Sequence, residues 1–241
     1  MDLMIDIGNT RIKYATIVSG QIKIKGVCAK NEIEKTIKNF SNTIDRVMIS
    51  SVGDVSQDTW NKINKKSIKS YHLNPQMKLP FNNQYESKET LGSDRIALIS
   101  GGILKFPKKD LLVIDLGSCI TFDFVDAQKN YLGGAISPGI KMRLKALNRF
   151  TKDLPLLDFE ESRRLIGKTT KQSILSGVYN GVLKELKGTI EEYKLRYPKM
   201  EVVLTGGDAS LFDKKLKNGI FVDEDLLLKG MYSILIKNAD K

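Results

Sequence analysis

Three carboxylates in this sequence stand beside glycines in a way that suggests chemistry. Ile5-Asp6-Ile7-Gly8 and Ile114-Asp115-Leu116-Gly117 are one phrase written twice, each closing a short apolar run. A carboxylate at a strand's end can hold Mg²⁺ directly or through water. The glycine beside it lets backbone N–H groups approach anionic oxygens. Asn9, Thr10 and Ser118 add short polar donors to the same turns. One Asp-x-Gly turn is ordinary hairpin structure; two in matching places point to phosphate and metal work. Gly92-Ser93-Asp94-Arg95 is the third candidate, a general base beside an anion-binding fork. On spacing alone it reads more readily as a helix start capped by Ser93 or Asp94, with Arg95 in solvent. Thr205-Gly206-Gly207-Asp208 follows the apolar run Val202-Val203-Leu204. Paired glycines there let a flat ring or a sugar lie on the backbone, or form a plain strand-to-helix turn.

Composition removes other chemistries. Two cysteines, Cys28 and Cys119, exclude a disulfide scaffold and a Cys-based zinc site. The single histidine, His72, excludes His-cluster metal chemistry and argues against a Ser-His-Asp triad. His72 reads as a strand or loop residue and Trp60 as packing, and Cys119 has no neighbouring cation to make it a nucleophile. No leader peptide and no membrane-length apolar stretch of about 18 residues is visible, so a cytoplasmic protein without a membrane partner is expected. The net charge is +11, and 31 of the 39 cations are lysines spread in small groups. Such a surface suits anionic substrates or polyanions. The arginine clusters and interleaved aromatics of sequence readers are missing, which disfavours a nucleic-acid partner.

At 241 residues the chain makes one large or two small domains. Leu3 to Gly8, the alternating Ile12, Tyr14 and Thr16, and Ile22 with Ile24 predict two or three antiparallel strands joined by tight turns. Helical spacing follows over 31–40, then a buried strand over Val47 to Val52 with a turn at Gly53-Asp54. Further helices are expected over 56–66 and after Ser93-Asp94. A second start then appears, with a strand over Leu111 to Gly117 and a return strand over Thr121 to Asp126. Helices are predicted over 140–150, 170–197 and 223–238, with the Val202 strand before the last. β-rich starts followed by helices, twice, describe an α/β duplication with a cleft between two halves. The boundary falls near Pro107-Lys108-Lys109-Asp110, giving halves 1–108 and 109–241.

This ordered set resembles the nucleotide-cleft pattern of the acetate kinase, sugar kinase, Hsp70 and actin superfamily. Within it, Gly92 to Arg95, Tyr131-Leu132-Gly133-Gly134-Ala135-Ile136-Ser137-Pro138-Gly139, Ile166-Gly167-Lys168-Thr169-Thr170 and Ser176-Gly177 look like type III pantothenate kinase. The resemblance runs from Leu3 to about residue 232. It implies a duplicated actin-like (ribonuclease H-like) fold with a nucleotide cleft, and ATP-dependent phosphorylation of pantothenate, the first step toward coenzyme A. By the same resemblance Asp6, Ile7, Gly8, Asn9, Thr10, Arg11, Ile12 and Lys13 form the first ATP-phosphate loop, with Asp6 on Mg²⁺. Asp115 matches the position for a monovalent cation (K⁺ or NH₄⁺), and Ser118 an ATP-contacting threonine. Gly206 and Gly207 would lie beside adenosine. Tyr85, Gly92, Ser93, Asp94, Arg95 and Thr170 match substrate-binding positions, Asp94 being the proton acceptor and Arg95 lying at or near the substrate carboxylate. A homodimer is implied, with Gly133 to Gly139 and the following helix as the contact.

The sequence departs from the family pattern at Ser118, at Thr169 in place of asparagine, at Lys88 where a proline is usual nearby, and at Gly53-Asp54. No departure removes an ionisable group. Two other readings stay open: a non-catalytic transcription accessory factor of the same family, and a kinase of another small metabolite on the same fold.

Overall fold

In the computed structural model, described for residues 1–8, 11–40, 43–51, 68–162, 164–216 and 219–239, the chain folds as two compact units. The first comprises 1–108, 128–132 and 225–241, and the second 109–127 and 133–224. The expected helix over 56–66, Trp60, the Gly53-Asp54 turn, Asn9 and Thr10 lie outside the described residues.

The first sheet runs β3-β2-β1-β4-β5, built from β1 (Asp2–Ile7), β2 (Ile12–Val18), β3 (Gln21–Cys28), β4 (Arg46–Ser51) and β5 (Lys69–His72). β1, β2 and β3 form an antiparallel meander, and β4 and β5 add in parallel. Alternation decides which face each side chain meets. Leu3, Ile5, Val47 and Ile49 point to a core closed by Ile33 of α1 (Ile33–Phe40). Met4, Asp6, Met48 and Ser50 take the other face by parity. The C-terminal helix Leu226–Ala239 packs on β1 and β4, α2 (Ser93–Lys105) packs on β4, and the two helices pack on each other. That last helix buries Leu226, Leu227, Leu228, Met231, Ile234 and Leu235, and the Lys25–Asp225 ion pair at 2.8 Å ties its start to β3.

The second unit repeats the plan. β7 (Leu111–Leu116), β8 (Cys119–Val125), β9 (Asn130–Pro138), β10 (Glu201–Thr205) and β11 (Ile220–Val222) run in the order β11-β10-β7-β8-β9, the opening residues 130–132 of β9 belonging to the first unit. β7 and β8 are antiparallel, while β10 joins β7 and β11 in parallel. Leu112, Ile114 and Leu116 turn to a core shared with Leu144 of α3 (Ile140–Phe150) and with Val178, Val182 and Leu186 of α4 (Thr170–Arg196). Strand β9 was not anticipated. Its opening residues pair with the short β6 (Asn82–Asn83), Asn82 opposite Asn130 and Asn83 opposite Tyr131. A Cβ at Gly134 would fall 1.7 Å from the Phe122 carbonyl oxygen, so β8 approaches β9 there as closely as backbone permits.

Candidate active site

Parallel register puts Ser50 directly beside Asp6 in the first sheet, and antiparallel register puts Lys13 on its other side. The Asp6 side chain is buried at 7% exposure, and Oδ1 has no hydrogen-bond partner among the described residues. Burial pushes its pKa up to about 6; the Ser50 hydrogen bond and Lys13 pull it down, and the nearby Asp94 adds to the rise. The Ser50 hydroxyl also meets the Ser93 hydroxyl at 3.1 Å, and Ser93 Oγ reaches the Ser51 carbonyl at 3.0 Å. A short polar chain therefore joins Asp6 to the start of α2, which carries Asp94 and Arg95.

The capping expectation for that helix is corrected. Gly92 is the N-cap, and no side chain caps the helix, although Asp94 Oδ1 accepts from the Arg95 N–H at 2.8 Å. Nor does Arg95 lie in solvent. It is 5% exposed, donates from Nη2 to the Tyr131 hydroxyl at 2.8 Å, and lies over the Tyr85 and Tyr131 rings, 5.5 and 6.0 Å from their centroids. Tyr85, Gly92, Ser93, Asp94 and Arg95 thus gather in one unit with Asp6. Ile7 and Ile12 face each other at the adjoining ends of β1 and β2, with Gly8 N donating to Arg11 O at 3.1 Å.

In the second unit Thr205, Asp115 and Thr121 stand in one row across β10, β7 and β8. The buried Thr121 hydroxyl has no hydrogen-bond partner among the described residues. Gly206 closes the row at φ +94°, where a side chain would be strained, and a Cβ there would fall 2.4 Å from Asp115 Oδ1. Gly139 N holds the Ser118 carbonyl at 3.1 Å, and Asp208 N holds that of Leu116 at 3.0 Å. Burial raises the Asp208 pKa, against the pull of Lys141 at the start of α3. This row of hard oxygen donors beside a cradle open only to glycine fits a cation, as does the orphaned oxygen of Asp6.

Thr170 opens α4, whose N-cap is Thr169: its hydroxyl accepts from Gln172 N at 3.2 Å. Threonine here does the capping work asparagine would do, so this departure from the pattern keeps the helix start. Ser176 binds the Arg164 and Leu165 carbonyls at 2.7 and 2.9 Å, fixing the segment before Thr169. Ser50 and Tyr131 escaped the sequence reading. For Ser50 the sequence offers only a serine in phase with Met48 in a buried run, and the pairing with Asp6 is what singles it out. A tyrosine heading a quoted motif was the signal for the second.

The family profile for type III pantothenate kinase matches residues 2–192. The type III pantothenate kinase of Flavobacterium johnsoniae is 42% identical over 235 residues, covering 96% of each chain. A Campylobacter jejuni structure bearing the name of a Baf family transcriptional activator superposes with TM-score 0.67 at 22% identity, over 99% of this chain and 100% of that one. A Sinorhizobium meliloti structure named for 2-dehydro-3-deoxygalactonokinase gives 0.62 at 10% identity, over 98% and 99%. At such identities these two likenesses speak to the fold, which is the duplicated actin-like one.

Proposed function

The chain belongs to the type III pantothenate kinase family, and from that premise we propose how its residues pass the γ-phosphoryl group of ATP to the primary hydroxyl of pantothenate, the first step of coenzyme A biosynthesis. Phosphoryl transfer needs mainly positioning and charge neutralisation, because its transition state spreads charge over the equatorial oxygens. The observation that carries the assignment is the placement of Asp94 within electrostatic reach of the buried Asp6, with Ser50 and Ser93 bridging the two elements. Asp6 would hold Mg²⁺, and the stretch from Ile7 to Lys13 serves to bind the ATP phosphates. Mg²⁺, when bound, supplies charge neutralisation at the phosphate oxygens. Asp94 orients the pantothenate hydroxyl and takes its proton as that oxygen attacks the γ-phosphorus. The bond to the β–γ bridging oxygen breaks, and ADP leaves with the electron pair. Arg95 and Tyr85 hold the acceptor, Arg95 at its carboxylate, and Thr170 adds a further contact. Asp115 holds the monovalent cation, Ser118 contacts ATP, and Gly206 and Gly207 accommodate adenosine.

Asp94→Asn keeps the shape and loses the base, so kcat should fall about 10²–10⁴-fold. Turnover near wild type in the folded variant would remove Asp94 from the role. The same reading places the protein in the cytoplasm as a homodimer that does not bind nucleic acid. Ile136 and Met142, exposed at 62% and 42% on β9 and α3, support the dimer contact.

A further inference from the structure

Tyr131 touches two of the side chains assigned to the pantothenate end, Arg95 and Tyr85, and it does so in two ways. Its hydroxyl accepts from Arg95 Nη2 at 2.8 Å, and its ring stands 6.0 Å from the Tyr85 ring, so the guanidinium has an aromatic contact on each. Its backbone carbonyl accepts from Gln84 N at 3.1 Å, while Asn83, paired with it in register, accepts from Tyr85 N at 3.0 Å through its side chain. The segment carrying Tyr85 is therefore laid down on Tyr131. Tyr131 itself is wholly buried, with Phe81 edge-on at 5.9 Å, so its hydroxyl has little freedom to swing.

We propose that Tyr131 is a positioning residue that sets acceptor selectivity, aiming Arg95 and Tyr85 at the carboxylate end of pantothenate. A guanidinium presents its donors in a rigid plane, and its value for a carboxylate depends on how that plane is fixed. Tyr131 fixes it with one hydrogen bond and one ring face. The inference rests on the assignment of Arg95 to the substrate carboxylate.

The test compares pantothenate with its neutral primary amide as acceptors, for the wild type, Tyr131→Phe, Arg95→Ala and the double variant, with folding checked by thermal melts. Tyr131→Phe keeps the ring and deletes the hydroxyl. It should raise KM for pantothenate about tenfold, as loss of a hydrogen bond to a charged group does. It should leave KM for ATP unchanged, kcat within about threefold, and the preference for the carboxylate cut about tenfold. In the Arg95→Ala background the same change should add nothing. Wild-type KM and preference in folded Tyr131→Phe would overturn the proposal. So would an equal effect of Tyr131→Phe with and without Arg95, since the hydroxyl would then not act through the guanidinium. If Arg95→Ala retains the preference, the carboxylate assignment of Arg95 fails first and takes the proposal with it.

Discussion

Asp6 keeps a carboxyl in a place that burial makes hostile to its charge, at a cost to the protein's stability. Its pKa rises from 3.8 to about 6, chiefly through burial. A raised carboxyl means the folded state binds the proton more tightly, so this group's contribution is fully present below pH 3.8 and lost as pH climbs to about 6. Above that, the ionised side chain costs up to about 3 kcal/mol in metal-free protein. Asp6→Asn should therefore melt several degrees higher than wild type at pH 8 in EDTA, a gap that closes toward pH 4, while activity is lost. Melting curves across that pH range check it; a variant no more stable than wild type at pH 8 would deny the penalty. Asp6, Asp94 and Asp115 were legible because carboxylates beside glycines stand out in apolar runs. Ser50 and Tyr131 were not, because one hydroxyl in a buried strand looks like any other until register names its neighbour.

Helices were the most legible elements, since their apolar residues recur at helical spacing: α3 was expected over 140–150 and runs Ile140–Phe150. β9 hid because Gly133 and Gly134 break its alternation and its partner β6 is only two residues long. The start of α4 offers an element-scale prediction. Thr169 caps Gln172 N while the Gln172 side chain accepts from Lys168 N at 3.0 Å, a reciprocal lock on the first turn. Thr169→Ala should cost about 1 kcal/mol in urea unfolding, and Thr169→Asn should cost little. Equal losses in both variants would show that the hydroxyl's capping bond is not what matters there.

Across the whole molecule the duplication explains why two Asp-x-Gly phrases recur: each ends the first strand of a meander, with a hydroxyl residue, Ser50 or Thr205, on its parallel neighbour. The repeated strand, turn and return strand could be anticipated from the repeated phrase. The return of residues 225–241 to the first unit could not, because the contacts that hold the last helix lie far back in the chain, in β3 and α2. If the 133–139 segment and α3 form a homodimer contact, Ile136→Glu with Met142→Glu should halve the mass seen by light scattering; an unchanged mass would move the contact elsewhere. The most direct measurement is ADP release by the full chain with ATP, Mg²⁺ and pantothenate, run in parallel K⁺ and Na⁺ buffers, with the phosphorylated product identified by mass. Pantothenate-dependent turnover giving 4′-phosphopantothenate, faster in K⁺ and lost with Asp94→Asn, is the predicted result. A folded protein that releases no ADP in response to pantothenate in either buffer would contradict it.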